Sequence, residues 1–461
     1  MAKKKEKLSL EELLEQALVK EEDRPYEVPE NWVWTRLEVV LSEIKNGTTI
    51  PQNKERLGAM VTRIESIQNN RIDFNRIGYI ADTTKIKEKD WYSANDIALS
   101  HINSAEHVGK TAIITEELLP LVHGMNLLRL RFNSACNAYY FYYFTQSFEY
   151  KQSIFNRINM AVNQVSINQK KVKDIPMPLP PIAEQQRIVD IIESLFEKLD
   201  TAKEMIQNAL DSFENRKAAI LHKAFTGELT TKWREENGVS LEEWNKSTAR
   251  EVCEFITKGE TPTKSISNKG EIPFLKVYNI RNNKLDFNYN PAYIPKEIHD
   301  NRMKRSKVFP NDIIMNIVGP PLQKVAIVTD EFNEWNINQA IAIFRVKEKI
   351  ITKYLYYCLL CDDTLASVLV DVRGVVGQSN ISLKQCRNLV IPLPSIVEQK
   401  EIVRILDNLL DNEECANELC DVIEKIDLMK KAILAKAFRG ELGTNNLEEE
   451  SAVELLKEVL K

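Results

Sequence analysis

The octapeptide KAFTGELT at 223–230 returns as KAFRGELG at 436–443 in a chain of 461 residues. The echo extends in both directions. PLPPIAEQQRIVDII (178–192) is answered by PLPSIVEQKEIVRIL (392–406), and SIQNNRIDF (66–74) by NIRNNKLDF (279–287). NGTTIP (46–51) pairs with KGETPT (258–263), and NDIALS (95–100) with NDIIMN (311–316). The offsets stay between 212 and 216. Solenoid units run about 20–50 residues, so this is not a stack of small repeats. It is one tandem duplication, and the fold must be built from two similar halves.

Each half opens on a mixed part, 32–175 or 245–390. Short β-branched and aromatic runs (TAIIT, LLRLRF, KVAIVT, AIAIFRV) between Gly, Pro and Asn predict strands and turns there. Each mixed part closes on a helix-like apolar stretch, AYYFYYFTQSF or KYLYYCLLCDDTLASVL. A Pro cluster follows, PMPLPP (176–181) or IPLPS, and Pro suits the first turn of a new helix. That helix carries Ile188, Ile192, Leu195, Leu199, Ala202, Ile206, Ala209 and Phe213 at spacings of four and three, the seam of a long packed helix. The second copy repeats the stripe, and the Gly of TGEL or RGEL marks each end.

The expected fold class is α+β: two similar mixed α/β domains separated by two long antiparallel, coiled-coil-like helices, with an internal pseudo-two-fold repeat. The segments are a helical lead-in (1–31), a first domain (32–175), a central long helix (176–244), a second domain (245–390), a distal long helix (391–446) and a C-terminal helix (447–461).

The formal net charge of −5 is unevenly spread. Residues 32–175 hold 18 Lys and Arg against 14 Asp and Glu, and residues 245–390 hold 21 against 15. The helical segments hold 23 against 38. Two basic domains attract a polyphosphate partner whatever the charge of the whole chain; the same distribution also fits a solvated helix surface beside two neutral domains. Seven cysteines, an odd count in a long chain, argue against a disulfide framework and for a reducing cytoplasm. The basic start lacks the apolar run of a signal peptide, and no stretch reaches the roughly 18 apolar residues of a membrane span. A cytoplasmic protein with no membrane partner is expected.

Two variable domains, each followed by P-L-P-x-I-x-E-Q-x-x-I and a long helix ending A-F-x-G-E-L, resemble the specificity subunit of type I restriction–modification systems. YEVPENWVWTRL (26–37) is similar to the usual lead-in to its first target recognition domain. The resemblance implies that each domain reads one half of a split double-stranded DNA target. It implies that the helices hold the domains a fixed distance apart and dock two modification (adenine methyltransferase) subunits, and that restriction/translocase subunits can join. S-adenosylmethionine and ATP then belong to those partners, and no cofactor, metal or catalytic residue is expected in this chain. Two other readings are a related system with a fused methyltransferase–nuclease partner and a coiled-coil scaffold that binds proteins only.

The tempting catalytic motifs are weak. NPAY (290–293) approaches the base-holding N-P-P-Y/F of adenine methyltransferases, but its second Pro is Ala and no glycine-rich cofactor loop precedes it. VGKT (108–111) ends like a phosphate-binding loop, yet Ser104 stands where the first Gly belongs. Cys358 and Cys361 have no second pair to complete a zinc site. DNA contacts are expected from loops rich in Gly, Thr, Asn, Gln and Lys, which reach phosphates and base edges. In the first domain these are Thr48, Thr49, Lys54, Arg63, Ser66, Gln68, Asn163 and Gln164. In the second they are Lys258, Thr261, Lys264, Lys276, Asn279 and Arg281, with Gln378, Ser379 and Asn380 after Gly374 and Gly377. Glu184, Gln185, Glu398 and Gln399 either cap the first helical turns or dock the methyltransferase.

Overall fold

A computed structural model describes residues 9–104, 106–161, 164–319, 322–373, 380–410 and 413–461. It contains two compact units that do not follow sequence order: residues 1–204 with 423–461, and residues 205–422. Each unit therefore takes a mixed domain, the start of one long helix and the end of the other. The helix Ile182–Thr226, 45 residues long, links them.

In each unit the chain enters and leaves the mixed domain through one antiparallel strand pair. Val33–Arg36 pairs with Pro176–Leu179, and Asn245–Thr248 with Val390–Leu393. The Pro cluster thus does more than reset the chain, since it also supplies a strand. Proline has no N–H for a central ladder, which restricts such a strand to a two-stranded or edge position. The long helix then starts at Ile182, directly after Pro181.

The central sheet has the same order in both units. In the first it runs Leu41–Asn46, Leu127–Phe132, Ile97–Ser100, Thr111–Ile113; in the second Cys253–Lys258, Ile341–Val346, Ile313–Asn316, Val325–Ile327. One clasp recurs on it. Arg131 holds the buried Asp96 in a two-pronged ion pair at 2.7 Å, and Arg345 holds the buried Asp312 at 2.8 and 2.7 Å. Paired with a carboxylate, each guanidinium is held above its usual pKa. The second unit adds a four-stranded sheet with one parallel pair, Ile272–Leu275 beside Trp335–Ile337. Cys358 and Cys361 are packed in that unit's core.

Each unit also contains part of both long helices. In the first, Lys203 bonds Asp427 at 2.7 Å while Lys430 bonds Asp200 and lies over the Phe196 ring, so the helices run antiparallel. Leu434, Ala437 and Phe438 share that core with Ile188 and Ile192. In the second, Leu221 and Ala224 share a core with Ile402, Leu406 and Leu410.

The E-Q dipeptides have a role that neither capping nor docking describes. Glu184 is fully buried, and its carboxylate accepts from Trp32 Nε1 (2.8 Å), Thr444 Oγ1 (3.0 Å) and Asn445 Nδ2 (2.9 Å). Glu398, equally buried, accepts from Trp244 Nε1 (2.8 Å), Thr230 Oγ1 (2.7 Å) and Arg234 Nη1 (2.8 Å). The neighbouring Gln185 accepts from the Asn137 amide and donates to the carbonyls of Ala135 and Pro180. Gln399 does the same with Ile351, Lys349 and Pro394. A helix start, the domain's lead-in Trp and the segment after the other copy's GEL are thereby locked together.

Candidate nucleic-acid interface

The repeated SIQNNRIDF and NIRNNKLDF form matching hairpins. Ile67–Gln68 pairs with Arg71–Ile72, and Ile280–Arg281 with Lys284–Leu285. The two-residue turns are Asn-Asn, at φ 48° and 60° in one and 49° and 56° in the other. Asn tolerates the left-handed region that type I′ hairpin turns demand. Neither tip waves in solvent: Tyr142 OH donates to Asn70 O (3.1 Å), and Tyr356 OH to Asn283 O (3.0 Å).

In each unit the loop of NGTTIP or KGETPT is pressed against a neighbouring backbone. A Cβ on Gly47 would lie 1.8 Å from the Gly124 carbonyl, and one on Gly259 1.9 Å from that of Ile337. Only glycine fits there.

In the first unit these elements enclose a cavity of about 600 Å³. Thr49 from one stretch of sequence and Arg63 and Gln68 from another line its wall with Glu65, Arg76, Ser100, His107, Lys110 and Asn126. Arg63 pairs with Glu65 (3.0 Å), and Lys110 Nζ lies 2.5 Å from His107 Nδ1. Ser100 Oγ is buried with no hydrogen-bond partner among the described residues. In the second unit, Lys276 just before the hairpin lies near the Tyr278 ring (5.6 Å), and Arg281 on the hairpin lies over the Tyr289 ring (4.3 Å). The first surface offers cations and amides, and the second offers cations, that a base edge or phosphate can approach.

Two expected contacts are corrected. Ser66 and Asn279 are fully buried, and their side chains serve the backbone. Ser66 Oγ accepts from the Arg63 amide (2.6 Å) and donates to Arg76 O (3.5 Å). Asn279 accepts from the Lys276 amide (2.9 Å) and donates to Asp286 O (3.2 Å) and Tyr289 O (2.9 Å). They shape the hairpins from beneath. Asn279→Ala, which strips all three bonds, is expected to cost about 1–3 kcal/mol in denaturant unfolding.

The other candidates are dispersed. Lys54, Lys258 and Lys264 are exposed. Thr48 is half-buried and bonds His123 O through its amide, and Thr261 is half-buried and bonds Gln339. Gln164 lies in the strand Gln164–Ser166, and Asn380 is exposed in a bridge to Val318. Asn163, Gln378 and Ser379 lie outside the described residues, as do Gly374 and Gly377. Sequence reasoning missed Arg76, Ser100, His107 and Asn126; Lys110 was visible, but inside a motif weighed for nucleotide binding.

The family described as the type I restriction modification DNA specificity domain matches the chain twice, over residues 29–211 and 241–425. The chain belongs to this family. The assigned specificity subunit of the type I restriction enzyme MjaX from Methanocaldococcus jannaschii is 32% identical over 429 residues, 90% of this chain and 95% of the relative. The EcoBI specificity subunit of Escherichia coli is 30% identical over 308 residues, 63% of each chain. A chain from a solved structure on the assembly and conformational transition of a type I restriction–modification system superposes with a TM-score of 0.62. Its sequence identity is 18%, and it covers 91% of this chain and 100% of its own. This is a specificity subunit with two recognition domains.

His299, Asp300 and Glu334 stand close enough to hold a cation. Lys307 already supplies the charge there, bonding Asp300 at 2.5 Å and Glu334 at 3.3 Å. His299 Nε2 donates to the Glu334 carboxylate (2.8 Å) and its Nδ1 accepts from Asn336 Nδ2 (3.0 Å), which fits a structural network.

Proposed function

We propose that the two domains read the two halves of a split DNA target and direct a partner adenine methyltransferase, with restriction/translocase subunits, to it. The observation that carries this reading is the duplicated hairpin, built on one scaffold but carrying different side chains in each copy, Gln68 in one and Arg281 in the other. Exposed Lys54, Lys258 and Lys264 serve phosphates, which position without specifying; Thr49, Arg63 and Arg281 serve base edges. S-adenosylmethionine and ATP belong to the partners, and the complex works in the cytoplasm. Two modification subunits dock on the helices. Leu428 and Met429 in one unit and Met205 in the other stand exposed on those helices.

The purified chain alone is expected to transfer no methyl group and to gain sequence-specific methylation once its methyltransferase partner is added. Methyl transfer by the chain alone would contradict this. Lys258→Ala or Lys264→Ala should weaken binding evenly across sequences and lower the slope of log affinity against log salt by roughly one. An unchanged slope for both would remove them from the phosphate contacts.

A further inference from the structure

We propose that Arg281 reads a guanine in the half-site of the second recognition domain, an inference that rests on the DNA-reading function above. Arg281 is exposed on the first strand of the second hairpin. Its guanidinium lies 4.3 Å from the centre of the Tyr289 ring and 3.4 Å from the Asp286 carboxylate. A ring face and a carboxylate fix the plane of the fork while using only part of its five N–H donors.

The two supports are themselves fixed. The Tyr289 amide donates to Asp286 Oδ1 (3.1 Å), and the buried Asn279 holds the carbonyls of both residues. Tyr278 packs edge-on against Tyr289 with ring centres 6.2 Å apart, and its hydroxyl donates to Asn290 O (3.1 Å). The order runs outward from a buried amide to an exposed, oriented guanidinium. A planar fork held in place matches N7 and O6 of guanine, the commonest base-specific pairing; it would also match two phosphate oxygens, an outcome that the sequence dependence and the salt slope separate from base reading.

The first domain supports the choice of position. Residues 213 earlier, on the matching hairpin or just beside it, are Gln68 for Arg281, Glu65 for Tyr278 and Arg76 for Tyr289. The backbone is repeated and the chemistry exchanged, as expected where two domains of one fold read different sequences. Gln suits adenine N6 and N7 as Arg suits guanine.

The test uses the full chain assembled with its methyltransferase partner and maps methylated sites for the wild type, Arg281→Gln and Arg281→Lys. Arg281→Gln should redirect one guanine position of one half-site toward adenine, leaving the other half-site and the spacer unchanged. Discrimination at that position should fall roughly 5- to 150-fold. Arg281→Lys keeps the charge but loses the fork, so it should relax the same position. It decides the matter if the Gln variant does not fold. An unchanged motif at full activity overturns the proposal. So does a uniform loss across all sequences with the salt slope lower by about one, which would make Arg281 a phosphate contact. A wild-type complex that marks no split target would overturn the DNA-reading function itself, and this assignment with it.

Discussion

Glu398→Ala is expected to destabilise the second unit by about 3–5 kcal/mol, because it leaves Arg234 buried without its counter-charge. The Arg234 side chain is 7% exposed and that of Glu398 0%. Glu184→Ala removes an equally buried carboxylate from the first unit, but its three donors are neutral: an indole, a hydroxyl and an amide. Stranding each neutral donor costs about 1–3 kcal/mol, and Glu398→Ala strands an indole and a hydroxyl as well as the Arg234 charge. The order of the two variants is therefore the informative quantity. Denaturant unfolding followed by Trp fluorescence measures it, since Trp32 and Trp244 each touch one of the carboxylates. Equal costs, or a larger cost for Glu184→Ala, would show that the Arg234 ion pair does not carry the lock.

Residues 1–243 expressed alone should form a two-fold dimer. This half-chain lacks Leu434, Ala437 and Phe438 from the first core, and Thr444 and Asn445 from the Glu184 socket. Losing large core side chains costs roughly 2–5 kcal/mol each, too much for a monomer to bear. The half-chain carries the replacements. Leu221, Ala224 and Phe225 stand 213 residues before the missing three, and Thr230 and Arg234 already serve a buried glutamate in the second unit. A second copy can offer all five, and a closed two-fold dimer results. Two identical domains across such an axis read identical half-sites in opposite orientation. With the methyltransferase partner, this dimer should methylate a palindromic target built from one half of the original. A folded monomer, or marking of the original asymmetric site, would show that the helices do not pair as copies.

Much of the fold is legible in sequence because its signals are local. LLRLRF is a strand over its full length, and the long helix begins one residue after the last Pro of PMPLPP. TGEL stops it, with Gly227 at φ 87°. What is not legible is spatial. Glu184 meets Thr444 across 260 residues, and no periodicity reports that each helix start is closed by the tail of the other copy. Ser66 and Asn279 look like loop polars because a residue type does not reveal whether its partner is water or a buried backbone amide. Ser100 lies in a strand buried at all four positions, so its unpartnered hydroxyl gives no pattern to read.

Methylation mapping of the full chain with its methyltransferase partner tests the central claim most directly. Two domains of one fold, with Gln68 and Arg281 at corresponding places, predict a target of two different defined sequences separated by a spacer of fixed length and undefined sequence. A single contiguous target, or two identical half-sites from the intact chain, would contradict it.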